Sequence, residues 1–437
     1  MKLKNIILVA ALAGVYANTA FADTSSSQPA ESLIDAISHG QSMTNFRLRY
    51  ENVNQDGFND ANAFTLRSLI GWQTAPFHDL SVGAQLIGVT DLNSDFNTKQ
   101  WGLNSAGKTN SDSSVQDPNY YNINQLYVDW TAIPNTKVRL GQQSLKLDNV
   151  RFIGNVEFRQ VMQVFTGVTV ENKSIANTDL YAGYYTRLRK ATTSQELSED
   201  TTILHATYHL SPTENLIGYG YWYDANNDKV AITTETSLTL NKVNLSNRTV
   251  GIRVDGAHPI DDHWKLLYTA EYAKQDRISN GNTNIDAHYY KLGLGANWNG
   301  WFARADQELL SSNNGLYAFQ TPLGTNHLFQ GWVDKFAAST PVQGMQDTYL
   351  TAGGKWQDFT LLTEYHWFDA DKDFTSGTGK ASRYGKEWDV SIAYAYNKQT
   401  TAKLEYGSFS EGDQYTFNTT SRYRNTDKLW LTALYSF

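Results

Sequence analysis

The chain has 437 residues, and its 36 Lys and Arg against 44 Asp and Glu give a formal net charge of −8. This acidic balance disfavours nucleic acid as a partner. The absence of Cys excludes disulfides and every Cys-based metal or nucleophile site. Aromatic residues reach 13%, an excess typical of chains whose aromatic girdles line two membrane interfaces.

The first residues have the layout of a cleaved secretory signal. A basic start precedes an apolar run over 6–15, and a small-residue site ends at Ala22. We therefore expect a signal peptide over 1–22, a periplasmic N-terminal segment over 23–43 and an outer-membrane β-barrel over 44–437. No later stretch approaches the roughly 18 uninterrupted apolar residues of a spanning helix.

Short segments in which apolar and polar residues alternate recur along the rest of the chain. In the first of them, Phe46, Leu48 and Tyr50 alternate with Arg47 and Arg49. Alternation with period two is the signature of a half-buried β-strand. Because charged side chains face lipid only at high cost, we expect the charged face of each strand to line a lumen.

This pattern predicts eighteen strands. They lie near residues 44–53, 61–74, 79–90, 120–133, 136–147, 160–172, 177–190, 202–210, 214–224, 246–256, 263–275, 285–298, 300–308, 345–355, 358–369, 384–397, 400–410 and 425–437. Tight turns rich in Pro, Asn and Gly follow even-numbered strands. Most connections after odd-numbered strands are longer, the longest being 91–119, 225–245, 309–344 and 370–383.

Short turns at one end and long loops at the other are typical of one fold class. The chain is predicted to be all-β, a transmembrane antiparallel up-and-down β-barrel with short periplasmic turns and long extracellular loops. The last strand should pair with the first, because an open edge in hydrocarbon would leave backbone groups unpaired. Two or three soluble domains would also fit the length, but no linker divides the chain.

The inward positions of these strands predict a pore with a basic wall from the first half of the chain and an acidic wall from the second. We predict these pore-lining residues: Arg47, Arg49, Arg67, Asp129, Arg139, Arg187, Arg189, Arg253, Glu271, Asp306, Glu364 and Glu405. The resulting transverse field would orient charged or dipolar solutes. Alternatively, the charges only keep the lumen wet and pair with one another.

Two connections are unusually apolar, those over 148–159 and 311–343. So much apolar surface would be a liability in solvent. We therefore expect both loops to fold against the barrel and to set its constriction, although a packed extracellular cap is the alternative for the second. The predicted constriction residues are Arg151, Arg159, His327 and Trp332.

Three blocks of the sequence resemble the alginate-export-type outer-membrane porins of Gram-negative bacteria. The blocks are residues 45–51, residues 140–143 running into 148–160, and residues 319–323 followed by His327, Gly331-Trp332 and 334–336. The resemblance implies an 18-stranded barrel with an electropositive pore that conducts acidic sugar polymers or small anions. This chain has Gln142 where the family tends to carry Arg, and Phe158 where it tends to carry Trp.

Motifs for catalysis or metal binding are weak. His205 and His209 are spaced as on a helix but lie in a predicted strand, which separates them by roughly 13 Å. The acidic runs that begin at Asp91 and Asp369 lack the Gly and Glu of a calcium loop. No Ser lies in a recognisable nucleophile turn. We therefore expect neither an enzyme nor a cofactor.

The function predicted from these features is passive, selective diffusion of small polar or anionic solutes, such as sugar acids, through an outer-membrane porin. The alternative is export of an anionic, alginate-like polysaccharide, and a purely structural or adhesive barrel is a third class. Expected partners are outer-membrane lipid, lipopolysaccharide and, through Phe437, the barrel-assembly machinery. Both a monomer and a trimer are compatible with the sequence.

Overall fold

The structure is a computed structural model that describes residues 29–93, 95–98, 112–191, 196–226, 229–232, 241–337, 339–376, 379–413, 416–417, 420–421 and 423–437. Across these ranges, eighteen long strands form one closed antiparallel barrel. No helix in the same ranges is long and apolar enough to cross a membrane. The predicted signal peptide lies outside the described residues.

The barrel strands of the first half are β1 (Asn45–Gln55), β2 (Ala61–Gln73), β3 (Leu80–Asp91), β4 (Tyr120–Trp130), β5 (Thr136–Gln143), β6 (Val164–Asn172), β7 (Thr178–Arg189), β8 (Glu196–Ser211) and β9 (Glu214–Asp224). Those of the second half are β10 (Asn247–Pro259), β11 (Trp264–Arg277), β12 (Asp286–Trp298), β13 (Trp301–Leu310), β14 (Met345–Trp356), β15 (Phe359–Ser376), β16 (Gly379–Ala395), β17 (Thr400–Glu411) and β18 (Thr426–Ser436). The predicted fold class is confirmed.

The largest differences from the predicted bounds lie at the extracellular end. Strand β8 begins at Glu196 and not near 202. Strand β15 continues to Ser376, and β16 already begins at Gly379. The predicted connection 370–383 is therefore mostly strand. The sequences of these extensions lack the apolar and polar alternation by which the other strands are recognised.

Short elements accompany the barrel. Helix α1 (Leu33–Ser38) begins after Ser32, whose side chain accepts a hydrogen bond from the Asp35 N–H at 3.1 Å. The Trp72 indole holds α1 against the periplasmic end of β2 by donating to the Ile37 carbonyl at 2.8 Å. The remaining short elements are Gln41–Ser42, which pairs with β2, Val230–Ile232, Asn241–Val243, Ser312–Asn313, Tyr317–Ala318, Thr416–Phe417, Thr420–Ser421 and a 3₁₀ turn at Asn326–Leu328.

The barrel closes between its first and last strands. Arg47 of β1 lies opposite Leu434 of β18, in an antiparallel register that runs from Asn45 to Gln55. Periplasmic turns are short because their residues suit hairpins. Between β12 and β13, Asn299 and Gly300 both have positive φ angles of 50° and 90°, as a two-residue type I′ turn requires.

The outer surface has an apolar belt with an aromatic border. Six half-exposed Trp side chains lie within two residues of the periplasmic ends of their strands, all in the described ranges: Trp72, Trp130, Trp264, Trp298, Trp301 and Trp356. Exposed aliphatic side chains such as Leu140, Ile252 and Leu350 lie further along the strands. A girdle of this kind marks a membrane interface, and the barrel is that of an outer-membrane protein.

Candidate functional site

Two extracellular connections fold into the lumen. We call residues 144–163, between β5 and β6, inner loop 1, and residues 311–344, between β13 and β14, inner loop 2. Their large apolar side chains are buried, with Phe158 of inner loop 1 and Phe336 of inner loop 2 at most 2% exposed. Burial against the inward faces of the strands removes the apolar surface that would otherwise meet solvent.

The two loops are bonded to each other. The Gly154 N–H donates to the Leu323 carbonyl at 2.9 Å, and the Thr325 N–H donates to the Val150 carbonyl at 2.9 Å. The Gln163 side chain bridges them by donating to the carbonyls of Gly154 and Leu323 at 2.8 and 3.0 Å. The loops therefore form one hydrogen-bonded body inside the barrel.

Two arginines of the predicted basic wall hold inner loop 1. Arg47 donates to the carbonyls of Glu157 and Arg159 at 2.8 and 2.6 Å. Arg49 donates to the Phe158 carbonyl at 2.5 Å. Hydrogen bonds from charged donors are the stronger kind, so these guanidinium groups fix the backbone path of the loop.

The two constriction arginines are anchored by carboxylates. Arg151 forms a two-point pair with Glu308 on β13, with N···O distances of 2.8 and 3.0 Å. Arg159 pairs with Glu51 on β1 at 3.0 Å and with Asp334 of inner loop 2 at 2.9 Å. Burial opposes ionisation of Asp334, but His327 at 3.0 Å and Arg159 hold the pKa of that carboxyl well below its usual range.

Acidic residues of β15 and β16 hold inner loop 2. The Trp332 N–H donates to Asp389 at 3.3 Å, and the Val333 N–H donates to Glu387 at 2.7 Å. The Trp332 indole donates to Glu364 at 3.0 Å. The loop body is thus tied to β15 and β16 as well as to β1, where Arg47 and Arg49 bond inner loop 1.

Several other predicted pore-lining residues are paired with neighbours on the wall. These contacts are Asp129 with Arg139 at 2.6 Å, Asp306 with Arg304 at 2.6 Å, Glu405 with Lys403 at 2.6 Å, Glu271 with the Tyr219 hydroxyl at 2.7 Å, and Arg253 with Asp255 at 3.0 Å. Such pairing is what the alternative interpretation of the lumenal charges describes.

The prediction for Arg187 is wrong. Register shifts between Tyr185 and Arg187, so a β-bulge interrupts the alternation of β7 at that point. Leu188 takes the inward position and is fully buried, whereas the Arg187 side chain is 58% exposed and lies 3.9 Å from Glu196. Strict period-two counting cannot anticipate a bulge.

The two remaining predicted arginines are buried. Arg189 donates to the Ile123 carbonyl at 2.6 Å and to the Asn124 side chain at 3.0 Å. Arg67 donates to the Asn45 side chain at 3.1 Å. Its Nε and Nη1 atoms have no hydrogen-bond partner among the residues that the structure describes.

A cavity of about 220 Å³ remains in the lumen next to the inner loops. Its lining includes Asn297, Phe302 and Thr360, which lie close to periplasmic turns, so the cavity is on the periplasmic side of the loops. Lys291 also lines it and was not among the predicted pore residues. Its inward position follows from the outward Leu292, so the alternation of β12 contained the signal.

Comparison with known proteins identifies the family. Residues 44–427 match the family model described as alginate export. The chain belongs to the alginate export family. The resemblance seen in the sequence blocks is thereby confirmed, and the matched span includes both inner loops. None of the curated proteins compared with this alginate export family member matches it significantly.

Solved structures with a similar fold are outer-membrane proteins of the Occ and Opd groups. Pseudomonas aeruginosa OccK9 (OpdG) has a TM-score of 0.68 at 13% identity, over 92% of this chain and 98% of that chain. Acinetobacter baumannii OccAB2 has a TM-score of 0.67 at 11% identity, over 92% and 98%. Pseudomonas aeruginosa OpdK, solved with vanillate, has a TM-score of 0.62 at 12% identity, over 90% and 97%. At these identities the likeness concerns the fold.

The described residues offer no group of three or more His, Asp or Glu side chains that could hold a metal ion. The acids Glu364, Glu387 and Asp389 accept hydrogen bonds from inner loop 2. In this alginate export family member, the lumenal charges therefore position the loops.

Proposed function

We propose that the chain is an outer-membrane channel for passive, selective diffusion of small polar or anionic solutes such as sugar acids. The observation that carries this proposal is the loop body that spans the lumen beside a cavity of about 220 Å³. A path narrowed by loops admits small solutes, and its lining of charged groups favours polar ones. The alginate export family description is compatible with anionic solutes.

Export of an anionic polysaccharide is the second candidate, and the family description favours it. The inner loops argue against it. They are bonded to β1 through Arg47 and to β16 through Asp389, and they are bonded to each other. A polymer would have to displace several buried, charge-assisted hydrogen bonds before it could pass.

The remaining assignments are part of the same proposal. Residues 23–43 form a periplasmic segment, for which the position of α1 beside the periplasmic end of β2 is support. Outer-membrane lipid and lipopolysaccharide surround the belt, and Phe437 is read by the barrel-assembly machinery. The chain works without a catalytic site, because its buried acids are engaged in holding the inner loops.

Electrical recording in planar bilayers tests the function. The refolded protein should give stepwise single-channel currents, and monomeric galacturonate should interrupt them briefly. Interruptions by oligogalacturonate alone would favour the export candidate. A folded protein, verified by its heat-modifiable mobility in gels, that passes no current would contradict a channel of either kind.

A further inference from the structure

We propose that the cavity beside inner loop 2 is a binding subsite for a single six-membered ring that carries one carboxylate, with Lys291 as the cation that receives it. The inference rests on the proposed function as a channel and specifies where a solute pauses. It concerns a site of monomer size on the periplasmic side of the loop body.

The subsite is bordered by the loops and by the strand wall. Asn149 of inner loop 1, with Phe329 and Trp332 of inner loop 2, forms its extracellular side. Lys291 of β12 and Tyr349 of β14 contribute to its wall. The strands fix the wall residues, and the hydrogen bonds that anchor Trp332 fix the loop side.

Lys291 has hydrogen-bonding capacity to spare. Its ammonium lies 5.5 Å from the ring centre of Phe329 and 5.6 Å from that of Tyr349. Within the described ranges it forms no ion pair within 4.0 Å. The carboxylates directly opposite on the neighbouring strands are already bonded, Glu308 to Arg151 and Glu271 to the Tyr219 hydroxyl.

The carboxylates on the lining already accept hydrogen bonds. Asp306 accepts two from Arg304, both at 2.6 Å. Glu364 accepts from Trp332 at 3.0 Å and from Thr351 at 3.1 Å. An anion that enters therefore meets a cation with free donors and acids whose oxygens are occupied, and it can gain a charge-assisted hydrogen bond to Lys291.

The volume of the cavity and its aromatic lining indicate what the ligand carries besides the carboxylate. A cavity of about 220 Å³ has room for one ring. Phe329, Trp332, Tyr349 and Phe302 line it. Aromatic faces favour stacking with a flat or apolar ring face. The shared chemistry is a ring carboxylate, either an aromatic acid or a pyranose acid.

The test compares channel interruption by matched solutes. Benzoate and glucuronate are the two ring carboxylates, and acetate, benzyl alcohol and glucose each lack the ring or the charge. Wild-type channels should be interrupted longest by one or both ring carboxylates. If benzoate alone acts, the source is an aromatic acid, and if glucuronate alone acts, it is a sugar acid. Equal interruption by acetate would overturn the assignment of a ring.

A pair of charge-matched variants locates the cation. Lys291→Gln should shorten the interruptions about tenfold or more, as expected for loss of a charge-assisted hydrogen bond. Lys265→Gln removes the same charge from the neighbouring strand β11 at a position that does not line the cavity, and it should change them little. Equal effects of the two variants would overturn the proposal.

A third variant covers the case in which Lys291→Gln does not fold. Phe329→Leu keeps an apolar side chain but removes the ring, so it should shorten interruptions by ring carboxylates and leave those by acetate unchanged. Unchanged ring-carboxylate interruptions would overturn the proposal. Absence of any current from the folded wild type would instead contradict the proposed function, so the two failures are distinguishable.

Discussion

At the scale of single residues, charged side chains in the lumen hold the inner loops in place. Arg47 and Arg49 donate to backbone carbonyls of inner loop 1, and Arg151 and Arg159 pair with buried acids. A buried charge that loses its partner is costly. These arginines therefore fix the position of the inner loops in the barrel.

Arg159 provides the sharpest test at this scale. Arg159→Met removes the ion-pair partner of Glu51 and one of the cations beside Asp334, so it should lower the free energy of unfolding by about 3–5 kcal/mol. Urea titration in lipid vesicles, followed by Trp fluorescence, measures the change. Arg187→Met is the control, because an exposed arginine 3.9 Å from its partner contributes under about 1 kcal/mol. Equal losses would contradict the buried anchor.

Single residues also show what the sequence could and could not predict. Alternation in β1 is enough to direct Arg47 and Arg49 inward, because every second side chain of a strand faces the same way. Alternation does not reveal that their partners are carbonyls more than a hundred residues away. Those partners depend on the path of a loop without period, and the bulge that turns Arg187 outward leaves no signature in composition.

At the scale of elements, the inner loops differ from the strands in how they are held. Strands are fixed by ladders of backbone hydrogen bonds, whereas inner loop 2 depends on side chains that titrate. Lys335 of this loop donates to the Thr426 hydroxyl on β18. Burial, with Lys428 nearby, lowers the pKa of Lys335 to about 7 from an ordinary value of 10.5.

This shift predicts a pH dependence for the docking of inner loop 2. Below about pH 7, Lys335 is protonated in both the docked and the undocked loop, and the full cost of burying its charge applies. Between about 7 and 10.5, only the undocked form binds the proton, so docking should strengthen as pH rises. The protection factors of residues 311–337, which correct hydrogen exchange for its intrinsic acceleration with pH, should increase over this window.

The matched variants are Lys335→Met and Lys372→Met. Lys335→Met removes the titrating group and should remove much of the pH dependence of loop docking between pH 7 and 10.5. Lys372 is half exposed beside Asp371, so its replacement should leave the pH dependence as it is. A pH dependence that persists in Lys335→Met would show that another group controls docking.

The sequence predicts the membrane-spanning parts of the strands better than their extracellular ends and the loops. Its period-two pattern is strong in the strand segments that carry the apolar belt, and it fades at the extracellular ends of β8, β15 and β16. The apolar content of residues 311–343 predicts burial of that loop. It does not predict the bond between Gly154 and Leu323, because loop-to-loop pairing has no periodic signal.

At the scale of the whole molecule, adjacent residues of one strand face two different environments, lipid outside the barrel and water in the lumen. Leu292 is half exposed on the lipid face of β12, while the adjacent Lys291 lines the lumenal cavity. The girdle of Trp side chains sets the periplasmic level of the lipid belt. The same alternation in all eighteen described barrel strands gives the barrel an apolar outer surface, and this surface places it in the membrane.

Moving a cation by one residue, from the lumenal face to the lipid face, should therefore lower the folding stability strongly. Leu292→Arg puts a charge near the middle of β12 on the lipid face and should cost about 2–4 kcal/mol of folding free energy in vesicles. Lys291→Arg keeps the charge in the lumen and should cost little. Urea titration of vesicle-inserted protein compares them. Similar stabilities would contradict the assigned lipid face of this strand.

The inner loops also bear on the order of assembly. Closing β1 on β18 includes a hydrogen bond between Arg49 and Thr432, which are 383 positions apart in the chain. Contacts of inner loop 1 span less, 113 positions from Arg47 to Gln160 and 157 from Arg151 to Glu308. Entropy lost on joining two ends grows with the length between them. Docking of this loop on β1 and β13 before closure would shorten the chain length over which the final search takes place.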